Sequence, residues 1–209
     1  FTSCVKDIKR GRGDIVTQER SVSNFTKVKI TGSTDVFITQ GAAFKVTASD
    51  YDNLINELET SVTGDELRVR YKSDVWVTKG KSKVTIVMPV LAGLTVEGSG
   101  DFTVTGPFTV ADRFTAKVRG SGDMNINGIN AADITADING SGDINISGSQ
   151  SKTIRIDIDG SGDLKAFGLE CDNADVDITG SGNTELSVAK QLDALIRGSG
   201  DVYYKGNPV

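Results

Sequence analysis

The tetrapeptide Gly-Ser-Gly-Asp recurs through the second half of the chain, and this repeat constrains the fold more than any other feature. Its six copies begin at Gly98, Gly120, Gly140, Gly160, Gly180 and Gly198, and the fifth copy ends in Asn183. The spacings are 22, 20, 20, 20 and 18 residues. Such a period is typical of a solenoid, in which each coil stacks on its neighbours to bury its apolar face.

Short alternating apolar runs between the copies predict the strands of each coil. The inward positions before three successive tetrads are Ile134, Ala136 and Ile138, then Ile154, Ile156 and Ile158, then Ala174, Val176 and Ile178. Alternation with the same parity in every copy means that one face of each strand is buried. We therefore expect an all-β protein, a right-handed parallel β-helix built as a single-stranded solenoid of about 20 residues per coil.

The repeat divides the chain into three parts. We expect an N-terminal tail at residues 1–13, irregular coils with loop insertions at 14–97, and the regular β-helix at 98–209, continuous with the part before it. A degenerate tetrad at Gly32 precedes Gly98 by 66 residues, which equals three coils of 22. Residues 51–59 depart from the pattern and predict a helical turn, and residues 71–83 predict a long loop or hairpin.

Composition excludes several classes of function. The formal net charge is −5 without a basic stripe, so nucleic acid is not an expected partner. Because the chain has no histidine, Ser-His-Asp and Cys-His catalysis and imidazole metal ligands are excluded. Two cysteines do not make a disulfide framework, and Cys171 falls at an inward position, where a core side chain is expected.

The sequence Phe1-Thr2-Ser3-Cys4 is similar to the end of a bacterial lipoprotein signal. In that pattern an apolar residue and two small ones precede the cysteine that receives lipid. Cys4 is therefore a candidate lipid anchor, and the alternative is an ordinary cysteine near a terminus. With the anchor, we expect an exported protein that meets the membrane only through its lipid, in the outer membrane or facing the periplasm, or displayed on the cell surface.

Several segments resemble the bacterial family described as the putative auto-transporter adhesin head GIN domain. They are residues 19–25 (ERSVSNF), 32–41 (GSTDVFITQG) and 198–206 (GSGDVYYKG), together with the Gly-Ser-Gly-Asp series. The resemblance covers residues 14–208. It implies a right-handed β-helix in an exported envelope protein of the Bacteroidetes type, often lipid-anchored and labelled an adhesin, and it carries over no catalytic residues.

Aspartates occupy outward positions of the long strand that leads to each tetrad. Three of them are expected to stack directly, two to lie on one side and one on the other: Asp137, Asp157 and Asp177, then Asp133 and Asp175, then Asp159. Like charges opposite one another in a ladder are destabilising. Water, neighbouring cations or a bound cation should offset them.

Four basic residues are candidates to offset this charge, namely Arg155 within the face and Lys117, Arg119 and Arg197 on flanking coils. One interpretation is a solvated acidic face that discourages aggregation between sheets. The other is a ligand site formed by the six aspartates and Arg155, either for a glycan or for Ca²⁺ held by the three stacked carboxylates. No other cofactor is expected.

The tetrad aspartates have a structural interpretation. The two glycines permit a sharp corner, and the aspartate can accept hydrogen bonds from N–H groups that the corner leaves free. A column of Ca²⁺ sites along this edge is the alternative, but the tetrad has few ligand oxygens compared with Ca²⁺-binding solenoid repeats.

Trp76, the only tryptophan, lies between Val75 and Val77. If the valines point inward, Trp76 points outward and can stack on a sugar; with the opposite parity it belongs to the core.

Three functions agree with these features. The first is a non-catalytic adhesin-like module of the cell envelope that presents flat faces to a glycan or a protein of the envelope or host. The second is a Ca²⁺-assisted polysaccharide lyase or hydrolase that uses the outward aspartates. The third is a structural module that self-associates as a homo-oligomer through its faces or ends.

Overall fold

The computed structural model describes residues 7–209; Cys4 and the rest of residues 1–6 lie outside the described residues. In this part of the chain there are sixteen β-strands and no helix, so no helix crosses a membrane there. The strands are β1 (Asp7–Arg10), β2 (Ile15–Arg20), β3 (Lys27–Gly32), β4 (Asp35–Gln40), β5 (Lys45–Tyr51), β6 (Leu58–Thr63), β7 (Glu66–Tyr71), β8 (Val75–Thr78), β9 (Lys83–Met88), β10 (Gly93–Gly98), β11 (Phe102–Gly120), β12 (Met124–Gly140), β13 (Ile144–Gly160), β14 (Leu164–Gly180), β15 (Thr184–Gly198) and β16 (Val202–Lys205).

Strands β11 to β15 form the regular part of the solenoid, and each is parallel to the next. Ile138 pairs with Ile158, and Ile158 pairs with Ile178. All three side chains are buried, so aliphatic residues of successive coils stack in columns. The prediction of an all-β solenoid with parallel coils of about 20 residues is confirmed.

Each tetrad forms a corner that is hydrogen-bonded to the preceding corner. The backbone N–H groups of Ser141 and Gly142 donate to the carbonyl of Gly120, at 2.9 and 3.2 Å. Gly140 has a φ of +137°, and a Cβ atom there would lie 2.2 Å from the carbonyl oxygen of Gly120. Both the backbone conformation and the close approach therefore require glycine at the first position of the tetrad.

The predicted separation of three coils between Gly32 and Gly98 is wrong. Strand β10 pairs directly with β3, and Gly98 is the register partner of Gly32. The intervening chain places β7 and β9 on the far sides of β3 and β4 instead. The spacing of 66 residues gives a wrong number of coils, because the chain leaves the stack after the coil of Gly32. It later returns with Gly98 in the coil directly next to the one it left.

Antiparallel strands close the N-terminal end of the stack. Strand β5 pairs with β2 and β9, and β6 pairs with β7, all antiparallel. Between β5 and β6 the predicted helical turn is present as hydrogen-bonded turns, in which the N–H of Ile55 donates to the carbonyl of Tyr51 at 2.9 Å. These turns bury Leu54 and Ile55. The cap thus covers apolar side chains that an open solenoid end would expose.

The predicted loop at residues 71–83 contains β8, which pairs in parallel with β1 in a separate two-stranded sheet. Strand β8 follows β7 in the chain, and β7 lies near one end of the sheet order, whereas β16 is the strand at the other end. The solenoid therefore has two different ends, one carrying the cap with β1 and β8 and the other carrying β16.

Candidate functional site

The three stacked aspartates, which we call the Asp row, lie on the outward side of β12, β13 and β14. Asp137 is the register partner of Asp157, and Asp157 of Asp177. At one end Nζ of Lys117 lies 3.5 Å from Oδ2 of Asp137, and at the other end Nη1 of Arg197 lies 2.7 Å from Oδ1 of Asp177. Within residues 7–209, Asp157 has no ion pair or side-chain hydrogen bond. Cations thus offset the ends of the row but not its middle.

The flanking acidic residues have partners of their own. Arg155 donates a hydrogen bond of 2.7 Å to Asp175, and Nη2 of Arg113 lies 3.6 Å from Oδ2 of Asp133. Asp159 lies two residues after Asp157 on the same outward side of β13. It has no ion pair in the described part of the chain. Arg155 therefore neutralises a flanking aspartate, and the Asp row keeps excess negative charge around Asp157 and Asp159.

No group of three or more acidic or cysteine side chains within residues 7–209 is arranged to hold a metal ion. Equivalent side chains on parallel neighbouring strands point in the same direction, about 4.8 Å apart. They do not converge on one point as the six to eight oxygen ligands of Ca²⁺ must. The prediction of Ca²⁺ on the Asp row stays a prediction, and it would need oxygen atoms from water or from a bound ligand.

The tetrad aspartates form a second column, in which each carboxylate accepts a hydrogen bond from the next coil. The backbone N–H of Asp143 donates to Oδ1 of Asp123 at 2.8 Å, and the N–H of Asp163 donates to Oδ1 of Asp143 at 2.8 Å. Asn183 continues the column, because its Oδ1 accepts from the N–H of Asp201 at 3.0 Å. These carboxylates cap backbone groups, as predicted, but the groups belong to the neighbouring coil.

Lys165 lies beside this column, with its Nζ 3.3 Å from Oδ2 of Asp143 and 3.8 Å from Oδ2 of Asp163. The hydrogen bond to Asp143 and the surrounding carboxylates raise the pKa of Lys165. A lysine that bridges two coils offsets part of the charge of the column without a metal ion.

Trp76 points outward, since Val75 is buried and the indole side chain is 58% exposed. It lines an open groove of 530 Å³ between β8 and the corners at Gly32 and Gly98. Gly32 borders the groove: a Cβ atom there would meet no atom within 4 Å, and the neighbouring strand β7 pairs with β3 only as far as Thr31. Of the two orientations that the sequence left open, the outward one is present, while a ligand for Trp76 stays a prediction.

A buried polar cluster beneath the groove was not predicted from the sequence. The carboxylate of Asp50 is fully buried and accepts from the N–H of Tyr51 at 2.8 Å, the N–H of Lys81 at 2.9 Å and the hydroxyl of Tyr71. Burial, followed by the hydrogen bond to Asp50, raises the pKa of Tyr71 above its ordinary value. The available signal was an acidic residue at the inward position that continues Val46 and Ala48.

Parallel coils, a glycine corner repeated in register and outward files of aspartate define a β-solenoid. The chain belongs to the family described as "Putative auto-transporter adhesin, head GIN domain", which matches residues 24–208. This result confirms the resemblance seen in the sequence. No protein of curated function matches the chain.

Solved structures agree with this assignment. A "putative adhesin" from Bacteroides fragilis superposes with a TM-score of 0.89 at 22% identity, covering 96% of this chain and 93% of that chain. A "putative adhesin" from Parabacteroides distasonis gives 0.76 at 26% identity, covering 97% and 94%. A "putative lipid binding protein" from the same species gives 0.79 at 24% identity, with the same coverage. The fold is therefore shared over nearly the whole chain.

Proposed function

We propose that the chain is a non-catalytic, adhesin-like binding module of a bacterial cell-envelope protein, exported and anchored through lipid on Cys4. The family is named for adhesins, and two similar structures carry that name. A family of this kind favours export to the envelope. The absence of histidine from the chain removes the commonest general base and several nucleophile arrangements.

The observation that carries the proposal is the outward face of β12 to β14, on which the Asp row continues without interruption. Catalytic sites need convergent groups, and residues on this face repeat with the period of the coil instead. A repeating row of carboxylates suits a repeating ligand, such as a glycan with hydroxyl or amine groups at regular intervals, or a basic strip on a protein.

Within this face Asp157 and Asp159 are the proposed centre of contact, because both lack an ion pair with any residue from 7 to 209. Asp133, Asp175 and Arg155 would lie at the edge. Bound Ca²⁺ is proposed only as a bridge between neighbouring carboxylates and a glycan hydroxyl, since the protein supplies too few oxygens alone.

Glycan-array binding with and without Ca²⁺, followed by calorimetry on any ligand found, tests this proposal. Asp157→Asn should weaken binding at least several-fold. Asp112→Asn, an exposed aspartate elsewhere on β11, is the matched control for charge and should bind as the parent does. Release of reducing ends or unsaturated products from any glycan, abolished by Asp157→Asn, would replace the binding module with the enzyme.

Self-association is a second candidate, favoured by the end that carries β16. Leu195, Ile196, Tyr203 and Tyr204 are 41–55% exposed there. Strand β16 pairs with residues 184–187 of β15 and Val209 forms backbone hydrogen bonds with Lys190 and Leu192, which leaves the last part of β15 without a neighbouring strand. An uncovered strand edge next to apolar side chains is a template for another chain. Light scattering over a concentration series should show a dimer that Ile196→Lys abolishes; a monomer at every concentration rejects this candidate.

A further inference from the structure

The end of the molecule that carries β1 and β8 exposes two large apolar side chains next to each other. Ile8 is 72% exposed and Trp76 is 58% exposed, and the two are register partners in the parallel pair. Because Val75 is buried, the sheet directs Ile8 and Trp76 away from the core. An aliphatic and an indole side chain presented together make an apolar surface that water solvates poorly.

Cations lie on one side of this apolar pair, at and after the C-terminal ends of β1 and β8, and Asp7 and Asp74 lie on the other side, where the N–H of Asp7 donates to the carbonyl of Asp74 at 2.8 Å. Arg10 and Arg12 flank Gly11, whose N–H donates to the carbonyl of Thr78 at 2.9 Å, so they lie beside Lys79. Lys81 follows two residues later, with its Nζ 5.8 Å from the ring centroid of Tyr51. The four cations, Arg10, Arg12, Lys79 and Lys81, form no ion pair with residues 7–209. On the solenoid, by contrast, Lys117, Arg155 and Arg197 are all paired with aspartates.

Charge is therefore distributed unevenly along the molecule. Residues 7–14 and 72–83 together contain seven lysine or arginine residues and three aspartates, and two of the lysines, Lys9 and Lys72, are paired with Glu57, whereas the whole chain has a net charge of −5. The basic end and the acidic solenoid differ in sign. A negatively charged partner would be attracted to the β1–β8 end and repelled by the rest.

We propose that this end docks on the surface of an anionic lipid bilayer. Ile8 and Trp76 enter the headgroup region, where an indole ring is well accommodated, and Arg10, Arg12, Lys79 and Lys81 contact lipid phosphates. A bilayer fits better than an acidic glycan, because a sugar stacks on an aromatic ring but gains little from an exposed isoleucine. We call the surface formed by these six residues the basic-apolar end.

The position of the proposed lipid anchor agrees with this orientation and rests on the proposed function. Cys4 precedes Asp7 by three residues, which span at most about 11 Å of extended chain. A lipid on Cys4 would thus hold β1 within reach of the bilayer. Since β16 is at the opposite end of the sheet order, the solenoid and its Asp row would project away from the membrane.

Trp76 makes the test direct, because it is the only tryptophan. The full chain with Cys4→Ser, which cannot carry the lipid, is titrated with vesicles of phosphatidylglycerol and phosphatidylcholine and with vesicles of phosphatidylcholine alone. We expect a blue shift of the emission and quenching by brominated lipid with the anionic vesicles only, weakening as salt is added.

Two variants assign the contact to this end. Arg12→Gln with Lys79→Gln should weaken partitioning about 30-fold, since each cation near an anionic surface contributes about 1 kcal/mol. Ile8→Ser should weaken it and reduce the blue shift. Lys45→Gln with Lys152→Gln removes two exposed cations elsewhere and should change partitioning less than threefold. Circular dichroism confirms that each variant is folded.

Three results would overturn the proposal. They are absence of binding to anionic vesicles at low salt, equal binding to neutral vesicles, and binding that the Arg12 and Lys79 changes leave intact. A Trp76 emission shift with heparin but none with vesicles would assign the basic-apolar end to an acidic glycan. Loss of vesicle binding leaves the glycan-array result at the Asp row unaffected, so the two proposals fail separately.

Discussion

The regular coils after Gly98 and the irregular part before it reach the same stack in different ways. In the regular coils, each corner repeats the same backbone hydrogen bonds and the same aspartate cap, as between Asp123 and Asp143. Before Gly98, single interactions replace the repeat: one buried carboxylate, Asp50, and an ion-pair cluster around Glu57. The regular coils therefore use the same contacts at many equivalent positions, whereas the cap depends on contacts that occur only once.

The largest expected effect contrasts two glycines with similar backbone conformations. Gly160→Ala places a Cβ atom 2.2 Å from the carbonyl oxygen of Gly140, whereas the same change at Gly32 meets nothing within 4 Å. Both carry the strain of a positive φ, roughly 1–3 kcal/mol, but only Gly160→Ala also forces two coils apart. We expect urea unfolding to show a loss of about 4 kcal/mol for Gly160→Ala. Equal losses at the two positions would show that coil contact is irrelevant.

The next effect concerns the cap. Asp50→Ala leaves the N–H groups of Tyr51 and Lys81 and the hydroxyl of Tyr71 without their acceptor, and it should cost about 3 kcal/mol. Tyr71→Phe removes a single donor and should cost about 1 kcal/mol. Thermal or urea unfolding measures both. If Tyr71→Phe costs as much as Asp50→Ala, the ring packing of Tyr71 and not the carboxylate organises the cap.

A smaller effect tests the tetrad column. Asp123→Ala removes the acceptor of the Asp143 N–H and should reduce the free energy of unfolding by about 1–2 kcal/mol. Asp123→Asn keeps an acceptor oxygen and should be close to neutral, because Asn183 already occupies the equivalent position. A large loss with asparagine would mean that the column needs the negative charge.

The cap should also respond to acid through Glu57. Hydrogen bonds from Lys9 and then Lys72 lower the pKa of Glu57 below its ordinary value of 4.5, against the opposing effect of burial. The stabilisation is therefore present above about pH 4.5 and is lost as the pH falls through the lowered folded pKa. Glu57→Gln should lower the melting temperature by a few degrees at pH 7, and the two proteins should converge once the pH falls below the lowered folded pKa of Glu57. A constant difference at every pH would contradict this.

The smallest effect has the opposite sign. Asp157→Asn relieves repulsion in the middle of the Asp row and should raise the free energy of unfolding by about 0.5 kcal/mol at low salt. The gain should vanish at high salt because the charges are exposed. Asp112→Asn serves as the control. A destabilised Asp157→Asn would indicate that the parent already holds a stabilising cation, and added Ca²⁺ would then raise the melting temperature of the parent alone.

The regular part of the fold was predictable because its information is local and repeated. Each tetrad contains the residues of its own corner. In each coil one of the isoleucines Ile138, Ile158 and Ile178 stands between polar neighbours along its strand, and this alternation identifies the buried face. The Asp row was predictable for the same reason, since its members share one position in the repeat. Trp76 was left open, because a short strand outside the repeat has no second copy with which to compare its parity.

The sequence by itself determined the stacked coils, their inward columns and the outward files of aspartate. This was possible because residues one repeat apart occupy equivalent positions on successive coils. Only the tertiary structure decided that Gly32 and Gly98 are neighbours, that Asp50 joins β5 to Tyr71 and Lys81, and that Ile8 lies beside Trp76. Those contacts link residues far apart in the chain without a shared period. Their partners are set by packing and by the pairing of buried polar groups, which no local pattern specifies.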